Sequence, residues 1–156
     1  MSKHVIRRTL FATLLGLGLL GAANAGTPSA TGLGQAWPNA ADVSVSPHYH
    51  AYVFQLGGVR YIQINDVNGN VLGSVGTAGG QFITLPIGKF AHLVSTPQQP
   101  AATSSNATAA ASPTTVYNDG TTTITATPMT DGTTKLSAAT ADTCSDPATC
   151  STHGGS

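Results

Sequence analysis

Apolar and β-branched side chains collect between residues 42 and 94, and there they alternate with a period of two rather than following a helical period. Residues 48–56 and 59–65 flank Gly57-Gly58, and a two-residue primed turn between β-prone runs predicts a hairpin. That register sets Leu56 opposite Val59, Phe54 opposite Tyr61, Tyr52 opposite Gln63 and His50 opposite Asn65 on one face. On the other face Gln55 meets Arg60, Val53 meets Ile62 and Ala51 meets Ile64. A second turn at Asp66-Val67-Asn68-Gly69 leads into 70–75, Gly79-Gly80 precedes 81–85, and a short run ends near Val94. The expected fold is all-β: a small antiparallel meander of four to five strands, with room to curl towards a barrel. No stretch beyond residue 25 sustains a helical period.

Both faces of this hairpin are apolar. Val53, Ile62 and Ile64 supply one core. Tyr52, Phe54, Leu56, Val59 and Tyr61 need a separate cover, and no helix is predicted to provide it. Barrel closure, the preceding arm, or a partner could each supply that cover, with intramolecular closure favoured. These five residues are therefore the candidate interface, for an envelope protein or a second copy of the chain, since large apolar patches on monomers mark contact surfaces.

The flanking segments read differently. Residues 1–25 have the form of an export signal. Lys3, Arg7 and Arg8 precede an apolar run at 10–20, and Ala23-Asn24-Ala25 forms a small-residue cleavage site. That run is too short for a stable span of the ~30 Å hydrocarbon layer, and no Cys follows the site. Cleavage before Gly26 and release into the periplasm or beyond are expected, with no membrane span in the mature chain. Arg7-Arg8 also raises a folded-export route, although paired arginines are common in ordinary signals.

Residues 26–41 form an irregular arm of small residues with Trp37 ahead of Pro38, and Trp37 is expected to dock on the sheet edge rather than bind sugar. Residues 42–94 are the meander. Residues 95–115 lack any large apolar side chain and are expected to be a flexible linker. Asn106-Ala107-Thr108 within it fits a glycosylation sequon, of consequence only in a eukaryotic secretory pathway.

In the Thr-rich segment 116–139, residues 119–126 and 131–138 align as a twelve-residue repeat, each copy an Asp-Gly turn followed by a β-prone stretch. Its few hydrophobes make a hairpin that is marginal alone and must dock or fray. Residues 140–156 are a tail in which Cys144 and Cys150 close a small disulfide loop, the default in an exported chain.

Charge narrows the partners. The precursor is formally neutral, but past residue 25 only Arg60, Lys89 and Lys135 stand against six aspartates, a net charge of −3 with no Glu. Three scattered cations give no footprint for phosphate backbones, so nucleic acid is excluded as a partner.

Catalytic patterns fail one by one. Gly73-Ser74-Val75-Gly76 lacks the glycine that a nucleophile elbow needs at position 72, where Leu72 stands. Asp66 to Asn70 begins like a calcium loop, then places Val71 and Thr77 where Gly and Glu belong. Gly76 to Gly80 lacks the Lys of a phosphate loop. No enzyme and no cofactor are expected. The alternative chemistry is a metal site: His48 and His50 would share a strand face, with His92, Asp66 or Asn65 as a third ligand. The expected disulfide removes both thiolates from a second grouping, Cys144, Cys150 and His153.

The run from Gly58 to Asp66 through Asn68-Gly69-Asn70-Val71, then Gly80-Gln81-Phe82 and Leu85-Pro86-Ile87-Gly88, resembles part of a group of short exported proteins of Gram-negative bacteria. The likeness covers about residues 37–90. It implies an envelope or extracellular address. No activity is assigned to that group, and no functional residue carries over from it.

Overall fold

The computed structural model describes residues 29–103 and 107–141. The hairpin forms in the expected register. β1 (Tyr49–Leu56) and β2 (Val59–Asp66) pair antiparallel from Leu56 opposite Val59 to His50 opposite Asn65. Gly57 and Gly58 turn the chain at φ of 58° and 79°, values that cost other residues steric strain. Asp66 organises the next turn, and β3 (Val71–Ala78) returns along β2 with a bulge near Ile64 that leaves Leu72 without a partner. β4 (Gln81–Thr84) completes an antiparallel sheet ordered β1-β2-β3-β4.

The chain then leaves the meander. After a 3-10 turn at Ala91–Leu93, the two residues of β5 (Val94–Ser95) pair in parallel with the last strand of a second sheet. β6 (Thr114–Asn118), β7 (Thr122–Pro128) and β8 (Thr134–Thr140) complete that sheet in the order β5-β8-β7-β6. The run near Val94 thus belongs to the second sheet rather than to the meander.

The Thr-rich segment docks because β7 alternates. Thr122, Ile124 and Ala126 point inward and are buried, while Thr123 and Thr125 face outward. A single apolar core lies between the sheets, with Ala51, Ile62, Ile64 and Val75 on one side and Val116, Ile124, Leu136 and Ala138 on the other. Two four-stranded sheets facing each other, rather than a curled barrel, solve the packing of the inner hairpin face.

Each repeat copy is a turn device. The Asp119 carboxylate accepts hydrogen bonds from the backbone of Thr121 and Thr122, and Asp131 accepts from Thr133.

One expectation needs correcting. The segment 95–115, expected to be a free linker, is tied by backbone hydrogen bonds among its described residues. Ala102 donates to His92, Ala110 donates to Pro128, and Thr108 accepts from Thr130. Backbone pairing requires no large side chain, so composition did not reveal it. Of the two alternatives for the hairpin at 116–139, docking or fraying, it docks, and it shares one core with the meander. The export signal at 1–25 and the cystine loop of Cys144 and Cys150 lie outside the described residues. Among the described residues, no helix is long and apolar enough to cross a membrane.

Candidate functional site

The outer face of the first sheet carries His50, Tyr52, Phe54 and Leu56 of β1 beside Val59, Tyr61, Gln63 and Asn65 of β2. Half of this face is closed by the arm at 29–41, and two buried amides hold it there. Gln63, fully buried, accepts the Gly34 N–H at 2.6 Å and donates to the Gln35 carbonyl at 2.8 Å. It also donates to Asn65 Oδ1 at 2.9 Å, and Asn65 donates to the Ala36 carbonyl at 2.7 Å and the Gly69 carbonyl at 3.2 Å. A buried polar group without a partner costs about 1–3 kcal/mol, so these two side chains make arm and sheet mutually dependent.

Reading the face as apolar missed their role. The signal was present as two amides at i and i+2 on a face otherwise mostly apolar, beside an arm of small residues.

Tyr52 and Phe54 are buried on this face, at 5% and 4% exposure. Trp37, at the end of the hydrogen-bonded stretch, is 60% exposed. Its ring lies on the β2–β3 turn, where a Cβ on Gly69 would stand 2.7 Å from indole Cε2, and it meets the His50 ring edge-on with centroids 5.3 Å apart.

His50 Nδ1 lies 2.7 Å from Asp42 Oδ2, and the other Asp42 oxygen accepts from the backbone of Ser44 and Ala51. Burial pushes the Asp42 carboxyl up, but the hydrogen bonds from His50, Ala51 and Ser44 outweigh it and hold the pKa below the usual range. Burial and the nearby Asp42 charge push the Tyr52 phenol up.

His48 does not share this environment. β1 begins at Tyr49, so His48 sits exposed in the preceding turn, which removes the common strand face on which an H-x-H metal site depended. It lines a cleft of about 250 Å³ with Asp66, Asn70 and Lys89, whereas His50 is engaged by Asp42 and Trp37. The Asp66 carboxylate accepts from the Asn68 and Asn70 backbone and from the Asn70 side chain. Among the described residues, no group of three or more His, Cys, Asp or Glu converges on one point.

Ser74 is 1% exposed, and its Oγ has no hydrogen-bond partner among the described residues. Arg60, on the inner face, pairs with Asp119, which also accepts from the Tyr117 hydroxyl at 3.0 Å. That cluster joins the first sheet to the β6–β7 turn beside a cleft of about 210 Å³ lined largely by Gly and Thr.

The far half of the outer face remains open. Leu56 is 71% and Ile83 55% exposed, and Val59 and Tyr61 are half-buried between them. Gly76 seats this patch: a Cβ there would stand 2.9 Å from Ile83 Cγ1 and 3.4 Å from Tyr61 Cε1, so both side chains rest on the β3 backbone. Of the five candidate interface residues, then, Tyr52 and Phe54 are enclosed, while Leu56, Val59 and Tyr61 are accessible and joined by Ile83.

No protein-family model, curated protein or solved structure matches this chain.

Proposed function

We propose that this is an exported, non-catalytic β protein of the bacterial envelope or extracellular space, acting through a surface contact made by Leu56, Val59, Tyr61 and Ile83. The observation that carries the reading is the division of the outer face. The arm buries Tyr52 and Phe54, yet the neighbouring apolar side chains stay accessible, with Leu56 at 71% and Ile83 at 55% exposure. Aromatic and aliphatic anchors around a strand glycine form a rigid, low-entropy contact surface of the kind that dominates interface energetics. The commitment of Asp42, Asp66 and Asp119 to turns and ion pairs supports a contact role over a chemical one. The export-type leader and the resemblance to exported Gram-negative proteins support the address.

The test is retention of a Gram-negative envelope fraction on the immobilised mature chain, compared between wild type, Ile83→Asp and Tyr61→Asp. Ile83 is a surface position, so Ile83→Asp should change stability by no more than about 0.5 kcal/mol. Loss of retention with an unchanged melting point is the expected result. Equal retention by all three proteins would refute the contact surface.

A further inference from the structure

Of the asparagines past residue 25, only Asn68 is followed by glycine. That pair is chemically labile, because a glycine amide nitrogen has no Cβ beside it to hinder attack on the asparagine side chain. Asn68 is exposed in the β2–β3 turn, and its side-chain amide has no hydrogen-bond partner among the described residues. Asn70 differs in both respects: it precedes Val71, and its amide is bonded to Asp66.

The mooring of the arm is built around the same peptide bond. Gly69 is buried, with the Trp37 indole lying against it. Its N–H donates to the Asp66 carbonyl at 3.0 Å, and its carbonyl accepts from Asn65 Nδ2 at 3.2 Å. That Asn65 amide also donates to the Ala36 carbonyl, so one side chain ties the turn to the arm. For attack, the Gly69 nitrogen must lose its proton, leave the Asp66 carbonyl and swing towards Asn68 Cγ. Trp37 and Asn65 oppose that movement while the arm is docked.

We infer that Asn68 is a site of spontaneous deamidation, held in check by the docked arm, and that its conversion releases the arm. The Gly69 nitrogen bonds to Asn68 Cγ and ammonia departs, leaving a succinimide ring. Water then opens the ring, at the side-chain carbonyl to give aspartate or at the main-chain carbonyl to give isoaspartate. No oxidant or reductant takes part.

The isoaspartate product does not fit this turn. Its main chain runs through the former side chain and is longer by a methylene, whereas bonds between Asp66 and Asn70 fix the length of the turn. The new carboxylate also stands close to Asp66, which accepts the Asn68 N–H in the unmodified chain. Gly69 therefore leaves its seat under Trp37, and the Asn65 link between turn and arm opens.

Peptide mapping by mass spectrometry of the mature chain, aged in neutral buffer, follows the site. Conversion should concentrate at Asn68, with isoaspartate as the main product. Trp37→Ala uncovers Gly69 from a surface position, and Gln63→Ala frees the arm from within. Either should speed conversion at least about tenfold, so the surface variant decides the matter if Gln63→Ala misfolds. The isoaspartate form, separated from fresh protein, should be cut within 29–41 by limited proteolysis while its core stays folded. Fresh Asn68→Asp gains the charge without the longer main chain, and should keep the arm docked. No conversion at Asn68, equal rates in wild type and the arm variants, or an arm still protected in the isoaspartate form would each overturn the inference. So would release of the arm by Asn68→Asp.

Discussion

Replacing Gln63 with Ala should release the arm. The side chain is fully buried and makes three hydrogen bonds, to Gly34, Gln35 and Asn65. Each is worth about 1 kcal/mol net, so roughly 3 kcal/mol is lost, plus the cost of a cavity where the amide stood. The loss has a ceiling. Once the arm undocks, its carbonyls and Asn65 regain water, so the total cannot exceed the free energy of docking.

Two consequences separate this account from a general loosening. The double variant Gln63→Ala, Asn65→Ala should cost much less than the sum of the single variants, because the second removes contacts the first has already broken. The arm should also become susceptible to limited proteolysis within residues 29–41 while the core melts as one unit. Urea denaturation of the three variants, with proteolysis followed by mass spectrometry, measures both. Additive costs, or an arm as protected as in wild type, would refute the idea that these amides hold it.

Other outcomes follow from the same contacts. Partial burial raises the Asp119 carboxyl, but the hydrogen bonds from Thr122, Thr121 and Tyr117 win and lower its pKa from 3.8 to about 2. The carboxylate therefore stabilises the fold above its unfolded pKa, and that share fades as pH falls through the folded value. After discounting for solvent screening it amounts to about 1–2 kcal/mol, visible as a steeper loss of melting temperature between about pH 5 and 2 in wild type than in Asp119→Asn. Ser74→Ala should be neutral or stabilising by up to about 1 kcal/mol in the same denaturation assay, since its buried hydroxyl has no partner to lose. A marked destabilisation would mean that the hydroxyl is bonded after all.

The hairpin was legible because two signals agreed. Gly57-Gly58 dictated a two-residue turn, and the alternation on either side fixed which residues face each other, so the pairing from Leu56 opposite Val59 to His50 opposite Asn65 could be read directly. The doubly apolar character of that hairpin was legible too, and so was the need for a cover. What escaped was the manner of covering. The arm is held chiefly by carbonyls and one N–H bonded to Gln63 and Asn65, interactions that leave no hydrophobic period in residues 26–41.

Segment 95–115 hid its order for the same reason, since Ala102 and Ala110 are fixed through their backbones. The second sheet gave a weak signal because small residues, Ala126 and Ala138, fill much of its inner face between Ile124 and Leu136. β5, with two residues pairing in parallel to a strand 42 residues onward, had no local signature. Of the candidate site, Leu56, Val59 and Tyr61 were legible. Ile83 was not, because its neighbourhood depends on a strand pairing through Gly76.

Hydroxyl-radical footprinting of the mature chain, alone and bound to envelope fraction, tests the central division of the outer face most directly. Leu56, Tyr61 and Ile83 should be oxidised in the free protein and protected in the bound one, with Tyr52 and Phe54 unreactive in both. Oxidation of Tyr52 and Phe54 in the free protein, or no protection of the other three on binding, would contradict it.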